Sequence, residues 1–340
     1  MKYFSPNRCF IVAEVSANHG QVFENAIDAI RAAKVCGVDA VKFQAYTPDT
    51  ITMDVDNKYF RIEQSHWKGQ TLYQLYEKAY TPWVWMKELK KAAEAEGLVF
   101  FATAFDKTSV DMLEEINVPI HKIASFELTD LPLIEYIGRT KKPLILSTGM
   151  ATVVEIQEAI DAARKGGAKE IVLLKCTSNY PSLPEDMNLR TIPDMKERFG
   201  VNVGLSDHSM GIAVPVASVC MGATVIEKHF IHSSEVKSED DFFSLGPEDF
   251  KNLVDNVRTV EKALGKVSYG AKKEQQHSLK YRRSLFAAQD IARGEAMTEA
   301  NVRSIRPANG LAPKYMSKVL KKKAVRNIKK GDPLKWSLLK

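Results

Sequence analysis

The chain has 340 residues, 45% hydrophobic and 26% charged, with a formal net charge of +6. Those proportions leave room for one large domain and a small one, and they exclude a disordered or low-complexity chain. The charge is uneven, because residues 282–340 hold 15 Lys/Arg against 4 Asp/Glu, a balance of +11, and the remainder stands at −5. No stacking-aromatic pattern accompanies those basic residues, so nucleic acid is not the expected partner. The longest apolar run, 213–226, is interrupted by Pro215 and Gly222 and is too short to span a bilayer. Pro6, Asn7 and Arg8 stand where an export signal would need an apolar stretch. Four cysteines, Cys9, Cys36, Cys176 and Cys220, form no CxxC pair and read as reduced thiols of a cytoplasmic protein.

In chain order, β-rich runs recur at 11–17, 40–46, 99–105, 120–126, 143–149, 171–178, 202–208 and 224–230. Helical patterns separate them. The segment 24–36 carries apolar residues at Ile27, Ile30, Ala33 and Val35 and stops at Gly37. The segment 152–164 opens on a Thr cap and stops at Gly166-Gly167. A small-residue helix is expected at 210–221 and a last one at 248–264. Eight strand–helix units predict an α/β fold, a (β/α)₈ barrel over residues 1–265. An open doubly wound sheet would carry a Gly-rich fingerprint after its first strand, and SANHG is not one. The second strand is followed by a long connection, 47–80, bearing Trp67 and several tyrosines, which predicts a lid or wall at the substrate face. Residues 266–281 read as a charged, Gln-rich linker. Residues 282–340, with strand-like runs at 284–288 and 323–328, read as a small β-rich domain.

The seventh and eighth strands each finish on a histidine, His208 and His229, within one βαβ unit. A histidine after a strand is usually a satisfied hydrogen-bonding residue. Two of them at one edge, flanked by Ser206, Asp207, Glu227 and Lys228, point instead to a site. Period-two alternation applied to every strand puts polar residues on the inward parity near the C-terminal ends. They are Glu14 and Ser16, Lys42 and Gln44, Thr103, Lys122, Ser147, Ser178 and Tyr180, Ser206 and His208, and Glu227 and His229. Ser125 and Glu127 fall on the other parity but stand where a loop could turn them inward. Lys42 and Lys122 with the hydroxyls of Thr103, Ser125, Ser147 and Ser206 suit a phosphate or carboxylate. Pairing of those lysines with Glu14, Glu127 or Glu227 is the alternative. Two imidazoles are too few for a structural zinc but suit an open Lewis-acid Mn²⁺, Mg²⁺, Co²⁺ or Zn²⁺.

The runs AEVSANHG (13–20), VKFQAYTPDTIT (41–52), KIASFELTD (122–130), LSTGMAT (146–152), KCTSNYPS (175–182), GLSDHSMG (204–211) and IEKHF (226–230) resemble those of the sialic acid synthase family. RRSLF, NVRSIRPANGLAP and GDPL resemble its C-terminal antifreeze-like (SAF) domain. YTPDTIT, LYQLYEKAYTPW, CTSNYP and Ser238-Glu239-Asp240 are similar to the pseudaminic acid synthase branch. That resemblance implies condensation of phosphoenolpyruvate with 2,4-diacetamido-2,4,6-trideoxy-altropyranose and water, giving pseudaminic acid and phosphate by C–O cleavage. An N-acetylneuraminate or legionaminate synthase, with another N-acetylated hexose, is the alternative. Lys42, Thr103, Lys122, Ser125, Ser147 and Ser206 match phosphoenolpyruvate positions, with Ser178 at an altered one. His208 and His229 match ligands of a divalent metal, Mn²⁺ first and Mg²⁺ or Co²⁺ otherwise. Glu14, Gln44, Tyr180 and Asp240 match residues around the sugar and the reacting carbons. Glu127 or Glu227 would deprotonate the attacking water. Arg306 matches an arginine that one subunit lends to its partner's site, implying a domain-swapped homodimer.

Two readings of other kinds compete. A Schiff-base aldolase would use Lys42 or Lys122. A non-catalytic sugar- or anion-binding protein would not need the intact polar set, and ice binding would need a flat uncharged face that fifteen basic residues do not provide.

Overall fold

Eight short strands, each buried on both faces, pair in parallel and close into a barrel in the order of the chain. They are β1 (Phe10–Glu14), β2 (Ala40–Ala45), β3 (Val99–Ala104), β4 (His121–Ile123), β5 (Leu144–Ser147), β6 (Ile171–Cys176), β7 (Asn202–Asp207) and β8 (Val225–His229). The computed structural model describes residues 3–5, 7–63 and 66–340. Pro6, read above against an export signal, and Gln64 and Ser65 of the long connection lie outside the described residues. Around the strands run α1 (Phe23–Cys36), α2 (Pro48–Ile51), α3 (Leu72–Ala79), α4 (Met86–Ala95), α5 (Lys107–Glu115), α6 (Leu131–Gly138), α7 (Val153–Gly166), α8 (Thr191–Phe199), α9 (Ala213–Cys220) and α10 (Pro247–Leu264). Among the described residues no helix is long and apolar enough to cross a membrane.

Strand alternation sorts the apolar residues into two cores. The outward set, including Ile11, Ala13, Val41, Phe43, Leu144, Leu146, Val203, Leu205 and Ile226, packs under the helices. The inward set, Phe10, Val12, Ala40, Phe101, Ile120, Ile145, Val172, Leu174 and Val225, fills the lower barrel, and Phe4 joins it below. The helices meet the first core along one stripe. In α1 that stripe is Ala26, Ala29, Ile30, Ala33 and Cys36, and the helix ends at Gly37, whose φ of 83° lets its N–H reach the Ala33 and Lys34 carbonyls. Thr152 caps α7 in a capping box with Glu155.

The strands are shorter than the sequence predicts. The run 120–126 forms a strand only over His121–Ile123, and Ser125–Glu127 is a 3₁₀ turn that carries those side chains over the barrel rim. Ser16, with φ 48°, lies beyond the end of β1, and His208 follows β7 directly. The helix expected at 210–221 spans only Ala213–Cys220. The connection after β2 is not structureless, since it contains α2 and α3.

The chain divides after Gly265 into two compact units, 1–265 and 266–340. In the second, residues Lys273–Tyr281 form a 3₁₀ run. Strand β9 (Ser284–Ala287) pairs antiparallel with β10 (Val302–Ile305) around Leu285, Ala287, Val302, Ala324, Ile328 and Leu334. The strand expected at 323–328 is absent. That run makes isolated bridges to three different places, Ala296, Leu339 and Ile291, so no ladder can extend along it.

Candidate active site

Directly above the apolar filling of the barrel, every strand contributes one inward polar group at the same level. Glu14 follows Val12 on the inner face, Lys42 follows Ala40, Thr103 follows Phe101, and Lys122 follows Ile120. Ser147, Cys176, Ser206 and Glu227 complete the ring. All eight are buried. The two ammonium groups are met by two carboxylates. Lys42 Nζ lies 2.8 Å from Glu14 Oε2, 2.8 Å from Thr103 Oγ1 and 3.5 Å from Glu227 Oε1. Lys122 Nζ donates to Ser147 Oγ at 2.7 Å and to the Ile123 carbonyl at 3.1 Å, with Glu227 Oε1 3.8 Å away. Ser206 Oγ donates to the same Glu227 oxygen at 3.3 Å. The pairing of both lysines with glutamates is therefore present.

Burial and neighbours divide the carboxyls. Burial lifts Glu14 to about 7 despite the Lys42 ammonium. Burial would also raise Glu227, but Lys122 and Lys42 outweigh it and hold that carboxyl below its ordinary value. Lys122 is lowered by burial, with Glu227 opposing. Glu127, on the rim turn, is half-buried with Oε2 shut off from water and without a hydrogen-bond partner, and burial raises it to about 7.

On the β4–β6 side the loops add further donors. Ser125 Oγ accepts the Gly149 N–H at 3.1 Å, which leaves its own proton to give. A Cβ at Gly149 would collide with both Ser125 and Ser178, so the absence of a side chain lets these two hydroxyls converge. On the β1–β2 side, Gln44 Nε2 donates to Ser16 Oγ at 2.7 Å and to Glu14 Oε1 at 3.2 Å.

The two histidines stand together above the β6–β8 side, ring centroids 5.4 Å apart. His208 Nδ1 donates to the Thr177 carbonyl at 3.0 Å, which turns Nε2 free. Burial first, and the neighbouring His208 after it, push the His229 imidazole well below its ordinary value. Its Nδ1 has no hydrogen-bond partner, and Asp240 Oδ2 is 3.7 Å away. Tyr180 packs on His208 at 4.3 Å and Phe243 on His229 at 4.6 Å. Outside them, Trp67 of the long connection sits 6.4 Å from Tyr180 and 6.0 Å from Phe242 and donates Nε1–H to the Glu239 carbonyl at 3.2 Å. The connection thus walls the histidine side with aromatics.

A divalent ion suits this corner. Two neutral-capable imidazoles converge, one with a buried ring nitrogen left unpaired and the other with its tautomer fixed by a carbonyl. Among the described residues no set of three or more His, Cys, Asp and Glu is arranged to hold a metal ion, so such an ion would keep water or substrate oxygens. Arg306 belongs to the second unit, where it lines a cavity of about 500 Å³ with Ser278, Tyr281, Arg282 and Arg283. The remaining expected site residues all lie in the first unit, on the barrel strands or the loops that follow them. Reading the sequence passed over Cys176, whose Sγ is 3.9 Å from His208 Nδ1. Its parity matches that of Ser178 and would have revealed it. Gly149 and Phe243 left no comparable signal.

Residues 29–269 match the NeuB family, and residues 282–340 match the SAF domain. The chain belongs to the NeuB family. It is 44% identical to a pseudaminic acid synthase of Campylobacter jejuni, over 96% of either chain. A pseudaminic acid synthase of Helicobacter pylori is 41% identical, over 95% of this chain and 96% of that one. Among solved structures, an N-acetylneuraminic acid (sialic acid) synthetase from Leptospira borgpetersenii in complex with citrate is 31% identical. It superposes with a TM-score of 0.72, covering 81% of this chain and 91% of that one. The NeuB match takes in every barrel strand from β2 to β8.

Proposed function

We propose that the protein is a pseudaminic acid synthase, condensing phosphoenolpyruvate with 2,4-diacetamido-2,4,6-trideoxy-altropyranose. The carrying observation is the 44% identity to the Campylobacter jejuni enzyme along nearly the whole of both chains. The buried ring and the loop hydroxyls beside it support it, since Lys42, Lys122, Thr103, Ser147 and Ser206 of the ring and Ser125 and Ser178 of the loops are the donors a phosphate and a carboxylate need. Glu14, Gln44, Tyr180 and Asp240 line the way from that ring toward the aromatic wall and take the sugar.

Carbon 3 of phosphoenolpyruvate forms a bond to the aldehyde C1 of the open-chain sugar, and the aldehyde oxygen takes up a proton. Positive charge develops at C2, balanced by the carboxylates of Glu14 and Glu227. Glu127 removes a proton from water as its oxygen bonds to C2, which its raised pKa and unpaired Oε2 suit better than the ion-paired Glu227. The C2–O bond to phosphorus's oxygen then breaks, releasing phosphate while the hydroxyl at C2 loses its proton to give the ketone. Lys122 and Ser147 hold the leaving phosphate. His208 and His229 would hold a divalent ion, Mn²⁺ in our reading, which supplies Lewis-acid polarisation of the aldehyde.

The resemblance of the IRPANG segment to the family's SAF domain supports, as partner, a second copy of this chain, a homodimer in which Arg306 of one copy serves the other's barrel. Exposed Phe126, Met150, Leu183 and Met210 on successive barrel-mouth loops support a covered mouth. The free cysteines support a cytoplasmic enzyme. A phosphate-release assay over a panel of N-acetylated hexoses and 6-deoxy-2,4-diacetamido sugars tests the reading. Release is expected only with phosphoenolpyruvate and the altro-configured diacetamido sugar. Faster release with N-acetylmannosamine would overturn the acceptor, and borohydride trapping of a lysine adduct with pyruvate would overturn the reaction class.

A further inference from the structure

Immediately before each histidine stands a charge, and the two are opposite: Asp207 before His208 and Lys228 before His229. Alternation turns both away from the site, into the layer between barrel and helices. They are direct partners across the β7–β8 ladder. Their side chains are 0% and 1% exposed, with Lys228 Nζ 2.5 Å from Asp207 Oδ2. The same ammonium donates to the Ser209 carbonyl at 2.5 Å. Asp207 Oδ1 accepts from the Ser209 N–H at 3.0 Å and from its hydroxyl at 2.7 Å. The residues on either side of His208 are thereby clamped to the residue before His229.

The pair lies on the outward parity of its strands, which is otherwise apolar at Val203, Leu205 and Ile226. Burying two charges there is costly, and well-packed apolar groups of similar volume often do as well or better for stability. What the pair specifies is the relative placement of two backbones at the point where the imidazoles leave them. We infer that Asp207 and Lys228 are positioning residues that set the separation of His208 and His229, and so the affinity for the divalent ion between them. This rests on the reading of those histidines as metal-holding.

The test uses the full-length protein, stripped with chelator and titrated with Mn²⁺, with free Mn²⁺ followed by electron paramagnetic resonance. The double variant Asp207→Leu/Lys228→Met is expected to melt at or above the wild-type temperature and to bind phosphoenolpyruvate as the wild type does. Its Mn²⁺ affinity is expected to fall by about 10–100-fold, the range for partners that orient metal ligands. A folded double variant with a wild-type isotherm overturns the inference. Should that variant not fold, Ser209→Ala removes only the hydroxyl bond to Asp207. It is expected to weaken Mn²⁺ several-fold at unchanged melting temperature, and an unchanged isotherm there also overturns the inference. His229→Ala separates the two ideas. If it binds Mn²⁺ as tightly as the wild type, or if the wild type binds none, the metal reading itself falls and takes the inference with it.

Discussion

Glu127 and Glu227 stand at the same barrel mouth in opposite surroundings, and their difference fixes which can accept a proton. Glu227 is held by two ammonium groups and a hydroxyl. Glu127 has a buried oxygen with no partner and titrates near 7 instead of 4.5. As a general base it works only when ionised, so kcat/KM is expected to fall about tenfold per pH unit below 7 and to level off above it. Glu127→Gln is expected to lose about 10²–10⁴ in kcat and to flatten that limb. An unchanged pH profile in the variant would take the role from Glu127 and leave Glu14, which burial also lifts to about 7, as the source of the limb. The same carboxyl has a stability signature. Between pH 4.5 and 7 the folded protein holds a proton that the unfolded chain has lost, so this group's contribution falls as pH rises through that window. Glu127→Gln is therefore expected to melt above the wild type at pH 8 and level with it near pH 4.

At the scale of elements, the long connection after β2 is the part whose consequence can be measured most directly. Thr71 caps α3 in a capping box with Gln74, and the Ile62 N–H donates to the Gln70 carbonyl while the Gly69 N–H donates to the Ile62 carbonyl, on either side of Trp67. Trp67→Ala removes the outer aromatic of the wall and the bond to the Glu239 carbonyl. We expect the KM for the sugar to rise about tenfold with that for phosphoenolpyruvate changed by less than about twofold, since uniform binding of one substrate is lost. Equal rises for both would mean that the loop supports the whole barrel mouth. Most of the barrel was legible because period two and helical stripes are properties of local sequence: β7 and β8, α1 and α7 lie where the pattern puts them, within a residue or two at their ends. The polar ring was legible for the same reason, because parity alone turns Glu14, Lys42, Thr103 and Lys122 inward. Strand endings were not legible. Ser125 and Glu127 follow a strand-like run, and nothing in their side chains announces a 3₁₀ turn. The Asp207–Lys228 pair was equally hidden, since it depends on the register of two strands, which no single strand encodes.

The whole molecule carries a charge division, a basic second unit and a more acidic first. If Arg306 serves the barrel of a second copy, each complete site draws on two chains. Two impaired variants, assayed at a sugar concentration far below the raised KM of Arg306→Ala, should then repair each other. His229→Ala spoils the barrel but keeps Arg306, and Arg306→Ala does the reverse. In a mixed dimer one site would combine the intact barrel of one chain with the intact arginine of the other, while the second site would carry both lesions. Random exchange of subunits at equal concentration makes half of the dimers mixed, so activity is expected to return to about a quarter of wild type in a twofold-symmetric assembly. Differently tagged copies of the two variants should co-purify after mixing, which shows that exchange has occurred. Activity that stays at the level of the separate variants after exchange would place Arg306 on its own chain's barrel. The Arg306→Ala protein by itself adds a second reading of the same question. Its KM for the sugar is expected to rise more than that for phosphoenolpyruvate, because the buried ring we propose for the latter is built entirely from the first unit.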